Sequence, residues 1–268
     1  MQRQNRIDQR FEEVLQRGEK VLVGLIPFGD PNLEISEKLA DVYIEAGADI
    51  VEFALPSDDP FVDSQQIKDS GARALSSEPD ILKYLEVIKK IRAKYPDEPF
   101  EVMAYSDALK KAGLKDFVDG LAAADIDAHL LADSIYQEPA MIEELDQLLK
   151  AADIYRIRFM PHPFRDDLLP DVGENGRGFM ILQSLTDPDG SRPTVKPGNK
   201  NLVERVRQTG TQASIILAYG IRDPQRTKEA VQTGADGIIV GTSFVEFIGD
   251  EDYDGLRQQI RSIKEALS

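Results

Sequence analysis

Residues 50–63 read IVEFALPSDDPFVD, a short apolar run that contains one glutamate and leads into an acidic loop. The length and composition of the run predict a buried strand, and Pro56 marks its end. Side chains alternate between the two faces of a strand, so Glu52 would point away from its neighbours Val51 and Phe53. Burying an unpaired carboxylate is costly. Glu52 is therefore expected either to form a buried ion pair or to carry out proton chemistry.

The pattern of that strand recurs along the chain. The predicted strands are residues 21–26, the run around Glu52, 100–104, 128–131, 154–159, 178–182, 214–218 and 237–240. The predicted helices are residues 3–17, 32–46, 79–94, 114–124, 139–151, 164–172, 199–208, 223–233 and 255–267, with Gly47 as a left-handed cap after the second. Apolar strands that alternate with amphipathic helices indicate a parallel sheet covered by helices.

Two architectures fit this alternation, an open doubly wound sheet and a closed barrel. Eight strands without a break in composition favour an α/β fold of the (β/α)8 TIM-barrel type. We expect residues 1–268 to form a single domain, with the helix at residues 3–17 as an N-terminal addition against one end of the barrel. The long irregular stretch at residues 184–198 is predicted to be a functional loop or lid.

Composition narrows the function classes. The chain has 48 acidic and 32 basic side chains, a net charge of −16, which argues against a nucleic-acid partner or an anionic membrane surface. No apolar run is long enough for a membrane span, and no apolar signal region follows the N-terminus, so a cytoplasmic location is expected. The absence of cysteine excludes disulfides and thiolate catalysis, and no pattern indicates a metal site.

Candidate chemistry follows from the barrel, because barrel active sites lie at the carboxyl ends of the strands. Glu52 within its strand suits proton transfer, and Asp63 in the following loop suits a permanently ionised partner that stabilises positive charge. A solvated loop carboxylate is the alternative for Asp63. His129 and His162 are interpreted as structural.

Glycines near the ends of the last strands suggest a second part of the site. Gly190, Gly220 and Gly241 would expose backbone N–H groups, and Gly241 with Thr242 precedes a possible helix N-terminus, a combination that binds phosphate. Ordinary turn glycines are the alternative. The side chains expected to line the substrate pocket are Met103, Tyr105, Ile181 and Tyr219.

The stretch at residues 50–63 also resembles the signature of the tryptophan synthase α subunit family, in which a glutamate precedes a Pro-x-x-Asp-Pro-x-x-Asp pattern. The matching residues are Glu52, Pro56, Asp59, Pro60 and Asp63. The likeness continues through Ala132-Asp133, Gly220-Ile221 and Gly241-Thr242. The resemblance implies a TIM barrel and the retro-aldol cleavage of indole-3-glycerol phosphate to indole and glyceraldehyde 3-phosphate in tryptophan biosynthesis.

The resemblance also implies roles for individual residues. Glu52 would protonate the indole ring carbon and remove the hydroxyl proton, and Asp63 would hold the indole N–H. The phosphate would be bound by Gly190, Gly220, Gly241 and Thr242. Loops carrying Pro56, Asp59, Pro60 and Asp107 would face a β subunit. That partner would hold pyridoxal phosphate, so no cofactor is expected in this chain.

Two other functions stay open at this point. One is a related barrel that acts on a different phosphorylated substrate, and the other is a non-catalytic homologue that binds a phosphorylated ligand or regulates a β-like partner. The chain departs from the family pattern around the site: Ser64-Gln65 replaces the usual Gly-Pro, and Asp107 replaces the usual Asn.

Overall fold

The sheet contains nine strands within the residues that the computed structural model describes, 4–186 and 193–268. They are β1 (Val21–Pro27), β2 (Ile50–Ala54), β3 (Phe100–Ala104), β4 (Ala128–Leu131), β5 (Tyr155–Arg156), β6 (Arg158–Met160), β7 (Phe179–Gln183), β8 (Ser214–Ala218) and β9 (Gly237–Val240). Every pair of neighbouring strands in the sheet is parallel. The predicted lid residue Gly190 lies outside the described residues.

The strand order β5-β4-β3-β2-β1-β9-β8-β7-β6 describes a barrel, because the two strands at the ends of this order follow each other in the chain. They are separated only by Ile157, whose N–H donates to the carbonyl of His129 at 2.9 Å. The TIM-barrel prediction is confirmed. The prediction of one continuous strand over residues 154–159 is wrong, because the chain passes there from pairing with β4 to pairing with β7.

Helices cover the outside of the barrel. They are α1 (Arg6–Gln16), α2 (Leu33–Ala46), α3 (Gln65–Ser77), α4 (Ile81–Lys94), α5 (Ser106–Ala112), α6 (Leu114–Ala123), α7 (Pro139–Ala151), α8 (Leu169–Asn175), α9 (Asn199–Arg207), α10 (Pro224–Val231), α11 (Thr242–Gly249) and α12 (Tyr253–Glu265). Short 3-10 turns lie at Ser134–Tyr136 and Asp166–Leu168. Within the described ranges, none of the helices is long and apolar enough to cross a membrane.

Local signals explain where α2 begins and ends. The side chain of Asn32 accepts a hydrogen bond of 3.0 Å from the N–H of Ile35, which satisfies a free donor of the first turn. Gly47 ends the helix with φ of 102°, a conformation that favours glycine. The predicted left-handed cap is confirmed, and it directs the chain into β2.

The core has two layers, as the alternation along β2 predicts. Val51 and Phe53 belong to the layer between sheet and helices, whereas Ile50 and Ala54 belong to the layer inside the barrel. A fully buried Val, Ile or Phe side chain contributes about 1.5–3 kcal/mol to folding. Glu52 therefore points into the barrel interior.

Helix α1 seals the end of the barrel opposite the carboxyl ends of the strands. Ile7, Phe11 and Val14 are buried in the interior layer, and the ring of Phe11 lies 6.1 Å from that of Phe179 at the start of β7. The prediction of an amphipathic helix against one end is confirmed. The interior can therefore open to a ligand only at the other end.

Candidate active site

A cavity of about 840 Å³ opens at the carboxyl ends of the strands. The predicted site residues that line it are Glu52, Asp63, Met103, Tyr105, Ile181, Tyr219, Gly220, Gly241 and Thr242. These residues come from five different strands or the loops after them, so the fold alone brings them together. Both predicted carboxylates and the described part of the predicted phosphate site thus share one cavity.

Glu52 is almost completely buried, with 1% of its surface exposed. Burial raises the pKa of its carboxyl group to about 7; a hydrogen bond with Glu101 opposes this effect, and the charge of Asp63 adds to it. No basic side chain pairs with Glu52 among the residues described here. The buried ion pair that the sequence left open is therefore not formed, and the carboxyl group is free to exchange a proton near neutral pH.

Asp63 lies at the edge of the same cavity, half-buried. Burial raises the pKa of its carboxyl group to about 6, while a hydrogen bond from Tyr105 and the charge of Lys68 lower it. The Tyr105 hydroxyl donates that bond at 2.7 Å. Asp63 is thus held in place by Tyr105, the residue that follows β3, rather than solvated in a loop, and it is mostly ionised at neutral pH.

Tyr219 lines the same cavity as the two carboxylates. It has φ of 72°, a left-handed conformation that is uncommon for a non-glycine residue and occurs at functional sites. Burial raises the pKa of its hydroxyl group, and the charges of Asp63 and Glu52 raise it further. The ring of Tyr219 lies 6.3 Å from that of Phe159 and closes this wall of the cavity.

Backbone groups form another part of the cavity wall. Gly220 has φ of 74°, and a Cβ atom there would lie 2.5 Å from the carbonyl oxygen of Pro193, so only glycine allows the two loops to approach. Gly241 immediately precedes α11, whose first N–H groups have no acceptor within the helix. The helix dipole adds positive potential at this end.

Hydroxyl groups surround the start of α11. Thr242 donates a hydrogen bond of 3.1 Å to the hydroxyl of Ser64, which ties the loop after β2 to this helix. The hydroxyl oxygen of Ser243 is buried and has no partner within the described chain. Ser243, the residue after Thr242, also lines the cavity. An anion that accepts hydrogen bonds fits this end.

The comparisons with known proteins bear on this arrangement. A family model described as the tryptophan synthase alpha chain matches residues 11–267. The chain belongs to this family. A tryptophan synthase alpha chain from Photobacterium profundum is 31% identical, over 98% of this chain and 98% of the relative. Another from Thermoanaerobacter sp. is 31% identical, over 98% of this chain and 100% of the relative.

Solved structures support the fold independently. A protein from Aquifex aeolicus superimposes with a TM-score of 0.87 at 24% identity, covering 98% of this chain and 99% of that chain. The tryptophan synthase alpha chain from Legionella pneumophila gives a TM-score of 0.85 at 20% identity, covering 99% of this chain and 98% of that chain. This chain therefore has the barrel fold of the tryptophan synthase alpha chain family, although its sequence identity to these two structures is low.

The predicted partner-facing residues of this family member lie outside the cavity. Asp107 accepts hydrogen bonds from the hydroxyl of Ser57 at 2.8 Å and from the N–H of Asp58 at 2.9 Å. These bonds tie the loop that carries Pro56, Asp59 and Pro60 to the start of α5. Asp59, Pro60 and Asp107 are thus connected at the surface, whereas Pro56 is buried.

Two exposed aromatic side chains stand close to that loop. Phe61 and Tyr136 are 45% and 65% exposed, and their ring centroids are 5.2 Å apart. Phe61 also lies 6.0 Å from the ring of Tyr105, which lines the cavity. Exposed aromatic pairs are typical of surfaces that bind another protein. Sequence reasoning did not single out either residue.

A second buried acid was also missed. Glu101 stands opposite Glu52 in the register of β2 and β3 and is 0% exposed. Burial raises the pKa of its carboxyl group well above the ordinary value, and the charge of Glu52 raises it further. The signal was present in the sequence, since Glu101 interrupts the apolar run of β3 as Glu52 interrupts that of β2.

The histidines lie away from this chemistry. His129 is buried on the helix side of β4, with Nδ1 2.8 Å from the carbonyl oxygen of Val102 and its ring against Phe117. Neither His129 nor His162 lines the cavity. Among the described residues no group of three or more His, Asp or Glu is arranged to hold a metal ion.

Proposed function

We propose that this chain is a lyase that cleaves indole-3-glycerol phosphate to indole and glyceraldehyde 3-phosphate. The observation that carries the proposal is Glu52, a buried carboxyl group without a basic partner at the bottom of a cavity that also contains Asp63. Membership in the tryptophan synthase alpha chain family supports the same reaction.

In this reaction Glu52 acts as both acid and base. It gives its proton to the ring carbon of the indole that bears the side chain, and it removes the proton of the adjacent side-chain hydroxyl as the carbon–carbon bond breaks. Glu52 therefore holds the same number of protons at the end of a turnover as at its start. A pKa of about 7 suits both steps, because neither protonation state is strongly favoured at neutral pH.

Asp63 stabilises the charge that develops on the indole ring. Protonation of the ring carbon makes the ring nitrogen more positive, and an ionised carboxylate that accepts its N–H lowers the energy of that state. The bond from Tyr105 orients Asp63 for this contact. Met103 and Ile181 provide apolar wall for the ring.

The phosphate of the substrate binds at the other end of the cavity. Gly220 and Gly241 expose backbone N–H groups there, and Thr242 and Ser243 add hydroxyl donors at the start of α11. Gly190 is assigned to the same role by the family pattern. Fixing the phosphate holds the reacting carbon in reach of Glu52.

We also propose a tryptophan synthase β subunit as the partner of this chain. The surface of Asp59, Pro60 and Asp107, on and beside the loop that begins at the buried Pro56, is extended by Phe61 and Tyr136 and lies beside the mouth of the cavity, where released indole leaves. Pyridoxal phosphate belongs to that partner in this proposal. Aromatic residues of this kind anchor protein interfaces.

The test is an assay of indole release from indole-3-glycerol phosphate by the purified chain, alone and with a tryptophan synthase β subunit. We expect indole in both conditions and a higher rate with the partner. Folded protein that binds the substrate yet releases no indole in either condition contradicts the proposal. Release at the same rate in both contradicts the partner assignment alone.

A further inference from the structure

Glu52 and Glu101 form a pair of acidic side chains inside the barrel. They occupy directly opposed positions of the parallel strands β2 and β3, about 5 Å apart at the backbone, and both point inward. Their exposed fractions are 1% and 0%. Opposed positions, a shared direction and complete burial place the two carboxyl groups against each other.

Among the described residues, no basic side chain contributes to the pKa of either acid of the pair. The residues next to it on the flanking strands are Leu25 of β1 and Ala128 of β4, and α1 closes the barrel below with apolar side chains. The other ionisable groups of the cavity are Asp63, Tyr105, Tyr219, Arg222, Asp223, Arg226 and Glu246. Of these, only Asp63 contributes to the pKa of Glu52.

With both acids ionised, neither oxygen of the Glu101 carboxyl group has a hydrogen-bond partner within the part of the chain described. One oxygen of Glu52 likewise lacks a hydrogen-bond partner among the described residues. Two buried carboxylates this close cannot both be ionised without a large cost, whereas one proton between them gives a hydrogen bond. The pair is therefore built to carry a single proton.

The two acids differ in their access to substrate. Glu52 lines the cavity, and Glu101 is absent from its lining. Glu101 can thus act on the reaction only through Glu52.

We propose that Glu101 is a positioning residue that shares one proton with Glu52 and fixes the orientation of its carboxyl group. This inference rests on the proposed lyase function for its catalytic meaning. The count of protons is unchanged over a cycle: Glu52 gives the proton to the ring carbon, the pair is briefly doubly ionised, and the hydroxyl proton of the substrate replaces the one that was given. The instability of the doubly ionised pair favours that second transfer.

The experiment is a pH titration by NMR of the full chain labelled with 13C at the glutamate side-chain carboxyl carbons. The Glu52→Gln and Glu101→Gln variants assign the two resonances, and Glu86→Gln, which removes an exposed carboxylate of α4, is the matched control. In the wild-type chain we expect the two carboxyl groups to titrate in two separated steps. In Glu101→Met, which removes the hydrogen-bond donor, we expect the midpoint of Glu52 to rise by about one pH unit or more, whereas in Glu101→Gln, whose amide N–H can still donate to the carboxylate, we expect it to stay near the wild-type value.

Kinetics add a readout that a purely structural role would not move. Because Glu101 does not line the cavity, Glu101→Met is expected to leave KM unchanged and to move the alkaline limb of kcat to higher pH, while Glu101→Gln keeps the wild-type profile. Glu101→Leu, which also lacks a donor, replaces Glu101→Met if the latter does not fold.

Each outcome decides the inference. Simultaneous ionisation of both acids in the ordinary glutamate range in the wild-type chain overturns it, as does an unchanged Glu52 midpoint in the folded Glu101→Met variant. The titration does not need turnover. A shared proton without any indole release would therefore contradict the proposed function while leaving the pair established.

Discussion

The hydroxyl of Tyr105 donates a hydrogen bond of 2.7 Å to the carboxylate of Asp63. This contact joins the end of β3 to the loop after β2, which are separated by 42 positions in the chain. It also lowers the pKa of Asp63, against the larger effect of burial. Ionisation of Asp63 at neutral pH thus depends on a hydrogen bond from Tyr105, the residue that follows β3.

Replacing Tyr105 by Phe is expected to narrow the pH range of activity from the acid side. Without the hydrogen bond the pKa of Asp63 rises above its present value of about 6, so the carboxylate that the reaction needs is lost at a higher pH. A hydrogen bond to a charged group contributes about 1.5–3 kcal/mol, which corresponds to roughly tenfold or more in kcat/KM on the acid side. The measurement is the pH profile of kcat/KM, with the exposed Tyr136→Phe as control. If the acid side of the kcat/KM profile has its midpoint at the same pH in both variants, the role given to Tyr105 is contradicted.

Replacing Gly220 by Ala is expected to weaken binding of the phosphate group. The added Cβ would meet the backbone of Pro193, so the loop after β8 must move away from the loop after β7. Loss of one or two hydrogen bonds to the phosphate raises KM by about tenfold or more.

Gly210→Ala is the matched control for this change. Gly210 has nearly the same φ, 75°, but a Cβ there meets nothing within 4 Å. It therefore separates backbone strain from the clash with Pro193. Inhibition of the reaction by inorganic phosphate reports the same site without substrate. Equal KM and phosphate inhibition in the two alanine variants would falsify the assignment of Gly220 to the phosphate site.

The acidic pair makes stability depend on pH. The ordinary pKa of a glutamate is 4.5. In the folded chain the pKa of Glu101 lies well above this value and that of Glu52 is about 7, so the folded state keeps protons that the unfolded state releases. Wild-type stability contributed by these groups is full below the ordinary value and falls as the pH rises through the folded-state values. Glu101→Gln removes much of this dependence.

Urea unfolding at about pH 5 and about pH 8 measures the effect. We expect the free energy of unfolding of Glu101→Gln, relative to wild type, to increase by about 1–3 kcal/mol between the two conditions. Comparing the two pH values cancels any constant cost of the buried amide. A constant difference between the proteins across this range argues against a buried pair that resists ionisation.

Sequence reasoning placed β2 and the direction of Glu52 correctly, because alternation along a strand is a local property. It did not predict α3 or the seven-residue α5, and it predicted only the start of α11. Helix α3 buries only Ser70 and Ala74 and so lacks an apolar stripe, and α11 begins directly after the glycine that ends the preceding turn. The barrel itself was predictable, since eight repeated strand and helix units allow few arrangements.

The site was predictable in part. The residues that end strands were found, because the fold brings all strand ends to one face. The Glu52–Glu101 contact depends on the register between two strands, and the Phe61–Tyr136 contact depends on how two loops fold. Neither relationship is contained in the local pattern of residues.

The central claim is that Glu52 transfers the proton that breaks the carbon–carbon bond. Single-turnover formation of indole from indole-3-glycerol phosphate by Glu52→Gln, compared with wild type and with the exposed Glu86→Gln, tests it most directly. The account predicts that Glu52→Gln binds the substrate as wild type does but forms indole about 10²–10⁴ times more slowly, while Glu86→Gln is unaffected. Indole formation by folded Glu52→Gln at the wild-type rate contradicts the account.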